Sequence, residues 1–185
     1  MEASPAPVIR RCRAEEIPEV GAFYDRVVKH MDETGTNYPH WTYKVYPSAE
    51  SAAAAEREGS LYVCLLNGRI CGAFVANAEP GAPYEKGDWS VELSPGEFMV
   101  IHSLAVDHEL AGRGIGSAMV RFCIELARSG GFRGIRLDVV PGNVPAIRLY
   151  EKAGFTFAGD RDLERGLEGV PVFSLYEFNF QKDKT

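Results

Sequence analysis

The sequence predicts a mixed α/β fold, and three observations carry that prediction. Strand-like apolar runs alternate with runs of helical period, and from Glu97 onward they follow strand–helix–strand–helix–strand order. Asn67-Gly68 falls between two strand-like runs, the strongest short signal for a hairpin. Three glycines at every second position, Gly112, Gly114 and Gly116, separate an apolar strand from an amphipathic helix. At 185 residues the chain suits one domain with a sizeable core, and it reads as a single domain over residues 1–185.

Residues 8–13 alternate weakly and give a first strand. Ala14-Glu15-Glu16 with Pro18 opens a helix, acids in its first turn and proline near its start. Val20, Phe23, Tyr24, Val27 and Val28 then recur at helical spacing and carry it to about His30. Residues 34–47 read as loop, punctuated by Gly35, Asn37, Pro39 and Pro47 and rich in aromatics: Tyr38, Trp41, Tyr43 and Tyr46, with His40 among them. Two readings of that cluster stand side by side. It seals the core beneath a long loop, or it lines an acceptor pocket.

Ser48 caps a helix through an alanine run to about Glu58. Residues 60–66 and 69–78 are the hairpin strands. Residues 79–96 are polar and rich in proline and glycine, hence loop, and leave Trp89 without an assignment. Residues 97–106 form the next strand. Residues 114–129 form a helix, apolar at Ile115, Met119, Phe122, Cys123 and Leu126 and ended by Gly130-Gly131. Residues 133–140 are a strand. Asn143 caps a helix through Lys152, with Pro145 in its first turn and Gly154 past its end. Residues 155–158 are a short strand, 160–169 a polar loop, and 172–180 a last alternating strand.

Composition narrows the partners. With 45% hydrophobic and 25% charged residues the chain is an ordinary globular one. A net charge of -6 argues against nucleic acid, whose binders carry basic surfaces. It mildly favours a cationic small molecule, although an acidic surface kept for solubility explains it more simply. No CxxC occurs, and the four histidines show no metal-ligand spacing with the cysteines, so no metal is expected. Cys64 and Cys71 bracket the Asn67-Gly68 turn and can meet across the hairpin; buried free thiols are the default for Cys12, Cys64, Cys71 and Cys123. The first residues lack the parts of a signal peptide, and no apolar run is long enough to span a bilayer. The expectation is a cytoplasmic protein with no membrane partner.

The glycine bend is the feature most suggestive of chemistry. Glycine tolerates positive φ and lets another group approach the backbone. The helix that follows presents unpaired N–H groups and the positive end of its dipole, which makes a site for phosphate. Arg113 adds a forked cationic donor. A P-loop is excluded, because no Gly-Lys-Ser/Thr follows. The dinucleotide fingerprint is a closer rival: Gly112, Gly114 and Ser117 approximate its spacing, and Asp138 stands where a ribose-binding acid would sit. That fold, however, puts its glycines directly after the strand, and here residues 107–111 intervene.

Taken together, Leu104-Ala105-Val106, the Gly112 to Gly116 turn, Leu137-Asp138-Val139, Asn143, Ala146, Leu149-Tyr150-Glu151-Lys152 and Gly154-Phe155 resemble the GNAT superfamily of acetyl-CoA-dependent N-acetyltransferases. The likeness is close over residues 97–158 and looser over the whole chain by order of elements. It implies a central, mostly antiparallel sheet with one parallel, splayed pair and helices on both faces. It also implies transfer of an acetyl group from acetyl-CoA, without a metal, to a primary amine that attacks directly in a ternary complex. The acceptor would be a small-molecule amine or a peptide N-terminus, and a homodimer is open. A non-catalytic module of the same fold, binding or sensing acyl-CoA, is the alternative.

The resemblance also assigns roles. The backbone of Ala111, Gly112, Arg113, Gly114, Ile115, Gly116 and Ser117 would hold the pyrophosphate. Leu104, Ala105 and Val106 would hold the pantetheine arm through main-chain groups. Tyr150 would be the general acid, and Asn143, besides capping its helix, would contact the cofactor. Ala111 is a departure, because the family turn usually opens with Gln or Arg. Its N–H is expected to bind all the same, with Arg113 supplying the missing charge. The base stays open among His102, Glu97 and water. Alternation places His102, Leu104 and Val106 on one face, and an imidazole titrates in the useful range; a histidine that merely packs in the sheet fits equally well.

Overall fold

A computed structural model describes residues 6–180. Its elements run β1 (Val8–Arg11), α1 (Ile17–Thr34), α2 (Ala49–Arg57), β2 (Leu61–Leu66), β3 (Arg69–Asn77), β4 (Phe98–Val106), α3 (Ile115–Ser129), β5 (Gly134–Val139), α4 (Val144–Lys152), β6 (Thr156–Arg161) and β7 (Phe173–Asn179). Single 3-10 turns stand at Ala14–Glu16, Tyr84–Lys86 and His108–Leu110. The strands form one mixed sheet in the order β1-β2-β3-β4-β5-β7-β6. β1 with β2, β2 with β3, β5 with β7 and β6 with β7 are antiparallel, and β4 runs parallel to β5 with Val100 opposite Arg136.

Contacts gather into two compact units. The first runs from the N-terminal residues to Ala76 and takes in His102–Met119; the second holds Asn77–Ile101 and the residues from Val120 on. β4 and α3 are each divided between them.

In the first unit, α1 buries the stripe Val20, Phe23, Tyr24 and Val27 against Leu61, Val63, Ile70, Ala73 and Ala105, and Val28 on the same helix is buried too. The helix continues four residues past His30 because what ends it is Gly35, in the left-handed conformation with φ +67, rather than the end of the apolar stripe. α2 starts from a reciprocal pair: the Ser51 N–H donates to Ser48 Oγ and the Ser48 N–H to Ser51 Oγ. The hairpin turns on Asn67 and Gly68, both at positive φ, as a two-residue turn of matching twist requires. Cys64 and Cys71 do meet across it, with sulfurs 3.7 Å apart, and Cys12, Cys64, Cys71 and Cys123 are all buried and free.

In the second unit, Phe98, Val100, Ala158, Leu163, Phe173 and Leu175 make a core that the 79–96 segment closes with Tyr84 and Leu93. β6 extends to Arg161, beyond the short strand expected. Asp160 and Arg161 are polar, yet they pair with Ser174 and Phe173 after an irregularity at Phe157/Asp160, and Asp160 Oδ1 accepts from Ser174 Oγ at 2.7 Å. An edge strand tolerates polar residues because half of it faces water.

Trp89, unassigned by sequence, covers a buried cation. The Arg136 guanidinium on β5 lies 4.1 Å from the Trp89 ring and 4.4 Å from that of Phe98, with Nη2 donating to Val91 O at 3.0 Å. Opposite it on β7 stands Glu177; the two residues are 3% and 2% exposed. Glu177 also accepts from the Ser90 N–H at 2.7 Å and from Asn179 Nδ2 at 2.8 Å. Burial pulls the Arg136 pKa down, and the Glu177 charge and Tyr84 oppose that pull. Removing the guanidinium takes away the nearby charge that acts with Glu177 and the ring contacts with Trp89 and Phe98, leaving space in the core. Arg136→Ala should therefore lower unfolding free energy by about 3 kcal/mol in urea denaturation; a variant as stable as wild type would show that the pair contributes nothing.

Candidate active site

The bend between β4 and α3 is built from its first residue. Asp107 is buried, its N–H donates to Cys71 O at 2.9 Å, and its Oδ1 accepts from the Glu109 N–H at 3.2 Å, which starts the 3-10 turn. α1 holds that turn in place. Arg26 reaches Asp107 Oδ2 at 3.3 Å, and His30 stacks on His108 with ring centroids 3.6 Å apart. The turn uses two of the amides expected to bind: Ala111 N–H donates to His108 O at 3.1 Å and Arg113 N–H to Leu110 O at 3.2 Å. Gly112 and Gly114 then take φ values of +77 and +79, and where each would carry a Cβ there is open space to 4 Å. Ala118 donates back to Gly114 O at 2.9 Å. The amides before it, through Ile115, Gly116 and Ser117, are those an α-helix leaves without an internal acceptor.

The amides that could receive an anion are thus those of the helix end. Backbone donors and the positive end of a 15-residue helix suit a pyrophosphate, and the bend before them leaves open space at Gly112 and Gly114. Arg113 lines a cavity of about 230 Å3 with Asn67, Arg69, Asp107 and Glu109.

β4 brings His102, Leu104, Ala105 and Val106 to the same unit. Ala105 is buried, and His102, Ser103, Leu104 and Val106 are half-buried, so burial does not alternate from 102 to 104. Ser103 breaks the strand backbone there. Its φ of +51 is left-handed, a conformation that costs a non-glycine residue about 1–3 kcal/mol. Two tyrosines meet it: Tyr24 Oη donates to Ser103 O at 3.1 Å, and Tyr46 Oη lies 2.5 Å from Ser103 Oγ. The aromatic loop is divided. Trp41 packs edge-on against Tyr24 at 6.4 Å, whereas Tyr38, Tyr43, Val45 and Tyr46 are exposed. It seals the core with one ring and presents the others to solvent.

The second unit holds the other two candidates, both on α4. Asn143 caps the helix, its Oδ1 accepting from the Ala146 N–H at 3.3 Å, so its amide NH2 is the group the cap does not use. Tyr150 is buried and edge-on to Phe155, with centroids 5.5 Å apart. Burial pushes its phenol well above the usual value, and Cys123 and Asp138 add to the shift. It therefore keeps its proton across neutral pH. Asp138 is not a ribose ligand in waiting: it accepts from Tyr84 Oη at 2.6 Å and from Arg165 Nη2 at 2.7 Å, which removes the dinucleotide reading. Glu97 is held by Arg133 at 2.7 Å and by the Ser94 N–H at 2.7 Å. Among the described residues no group of three or more His, Cys, Asp or Glu could hold a metal ion.

Sequence reasoning did not single out Ser103, Arg26 or Asp107, and it placed Tyr24 in the helix core and Tyr46 in the aromatic loop without joining either to Ser103. Asp107 two residues before Glu109 is a legible turn start. Nothing local joins Tyr24 to Ser103 or Arg26 to Asp107 across some eighty positions, and a left-handed serine inside an apolar strand leaves no mark in sequence.

Comparison with known proteins gives the family and the fold. The Acetyltransferase (GNAT) family profile matches residues 25–155, more than half of the chain. An uncharacterized N-acetyltransferase of Methanocaldococcus jannaschii is 32% identical over 98 residues, 53% of this chain and 39% of that one. Aminoglycoside N(6')-acetyltransferase type 1 of Klebsiella pneumoniae is 34% identical over 106 residues, 57% of this chain and 51% of its own. Streptothricin acetyltransferase of Escherichia coli is 32% identical over 88 residues, 48% and 47% of the two chains. The chain thus spans about half or less of these curated relatives. Among solved structures, a GNAT acetyltransferase of Streptococcus agalactiae superposes with a TM-score of 0.78 at 17% identity over 97% of this chain and 99% of its own. A Salmonella typhimurium protein solved with its cofactor acetyl-CoA gives 0.70 at 17% identity over 98% of each chain. With a family match across residues 25–155, most of its length, this chain belongs to the GNAT acetyltransferase family.

Proposed function

We propose that this protein is an N-acetyltransferase that moves an acetyl group from acetyl-CoA to a primary amine by direct attack in a ternary complex. The observation that carries the reading is the open bend at Gly112 and Gly114 followed by the first-turn amides of α3. Those amides bind the pyrophosphate, the main chain of Leu104, Ala105 and Val106 aligns the arm as an added strand would, and Asn143 donates its amide NH2. Bound acetyl-CoA supplies an activated thioester carbonyl. Tyr150 holds a proton beyond the range in which a free phenol would lose it, and passes it to the displaced sulfur. His102 or water takes the proton of the amine; Glu97, tied to Arg133 and Ser94, is the weaker candidate.

For the acceptor, the exposed rings of Tyr38, Tyr43 and Tyr46 favour an amine with an apolar body, and the net charge of -6 favours a cation. Relatives named for aminoglycosides and streptothricin keep amine-bearing small molecules foremost. Four free, buried cysteines support a reducing, cytoplasmic setting.

Two outcomes follow. Gly114→Val forces a branched side chain onto φ +79 and should weaken coenzyme A binding by about tenfold or more in calorimetry, with a fall of only about a few degrees in melting temperature from the local strain. Unaltered affinity would move the cofactor elsewhere. Tyr150→Phe should lower kcat in a thiol-release assay over an amine panel by about a hundredfold or more. Because burial raises the Tyr150 pKa, the acid-competent form persists upward in pH, and wild-type kcat should show no alkaline fall below about pH 10. A Tyr150→Phe enzyme with wild-type turnover, or cofactor binding with no turnover on any amine, would contradict this mechanism.

A further inference from the structure

Ser103 lies one residue after His102 and one before Leu104, in the stretch of β4 that the acetyl-transfer reading assigns to the thioester arm. It is the one residue of β4 at positive φ, and its side chain is short and polar. Left-handed serine in a strand persists only where its surroundings hold it. Here two hydroxyls do so from opposite parts of its backbone and side chain. Tyr24, 1% exposed on α1, donates to Ser103 O, and Tyr46, at the end of the aromatic loop, bonds Ser103 Oγ. The Tyr24 phenol is held far above its usual pKa by burial, so it is a donor at every working pH.

The loop is fixed at its other end too. Asn37 Oδ1 accepts from the Trp41 N–H at 3.0 Å, Asn37 Nδ2 donates to Trp41 O at 2.7 Å, and Thr42 and Tyr46 exchange both main-chain hydrogen bonds at 3.0 Å. Trp41 then rests on Tyr24. The loop therefore touches the strand kink by two routes, through Trp41 on Tyr24 and through Tyr46 on Ser103.

We propose that Tyr24 and Tyr46 are positioning residues for acyl transfer: together they hold Ser103 left-handed, fix the main chain from His102 to Val106, and tie that chain to the aromatic loop. The proposal rests on the acetyl-transfer reading for its consequence on rate, and on Ser103 geometry alone for its structural content.

The test is a rescue. Crystals and steady-state rates are compared for wild type, the Tyr24→Phe/Tyr46→Phe variant, and the same variant with Ser103→Gly. Both phenylalanines keep their rings, so packing survives. Without the hydroxyls, Ser103 should leave the left-handed region, and kcat should fall about tenfold or more while the acetyl-CoA KM stays within about twofold. Glycine carries no penalty at positive φ, so Ser103→Gly should return position 103 to it and recover most of kcat, although it restores neither hydrogen bond. Loss of packing alone would not be repaired by removing a side chain. Ser103 still left-handed in the double phenylalanine variant, or no recovery with glycine, overturns the proposal. If wild type acetylates no amine at all, the amine-transfer reading falls, and the φ at position 103 in the same crystals still decides the positioning claim.

Discussion

An α-helix cannot satisfy the N–H groups of its own first turn, and the helices of this chain are entered in different ways. The chain reaches α2 and α4 through a capping side chain, Ser48 for the first and Asn143 for the second. At α3 it arrives instead through two left-handed glycines with nothing where a side chain would stand. The turn before them is pinned by Asp107, Arg26 and the stacked His30 and His108. That anchoring matters because a site made of backbone amides works only if the backbone is held before the ligand arrives.

The second unit solves a different problem. α4 buries the Tyr150 phenol edge-on to Phe155, and that burial, with Cys123 and Asp138 adding to it, raises the phenol's pKa. Elsewhere the same unit buries a guanidinium and a carboxylate, Arg136 and Glu177, and surrounds them with Trp89, Phe98 and backbone donors. Both groups are costly to desolvate, and they stand opposite one another where β5 pairs with β7.

Much of this was legible in the sequence because the signals are local. Asn67-Gly68, the serine and asparagine caps, the Gly112 to Gly116 spacing and the apolar stripe of α1 each act within a few residues, and each element formed where they pointed. The end of α1 was misjudged because an apolar stripe reports burial, whereas Gly35 reports termination. The extent of β6 was misjudged because its last residues are polar at an edge. Trp89 could not be placed, since its partner is an arginine in a distant strand. The expectation that Ala111 offers its N–H met a 3-10 turn that consumes it. Ser103 was invisible for a like reason: only tertiary contacts from Tyr24 and Tyr46 select its conformation.

The claim on which the rest depends is that the amides from Gly114 to Ser117, and not those of Ala111 and Arg113, receive a pyrophosphate. Amide resonances followed during titration with coenzyme A address it residue by residue. The account predicts large, saturable shifts at Gly114, Ile115, Gly116 and Ser117, with smaller ones at Ala111 and Arg113. Saturation by coenzyme A that leaves the first turn of α3 unshifted would contradict it.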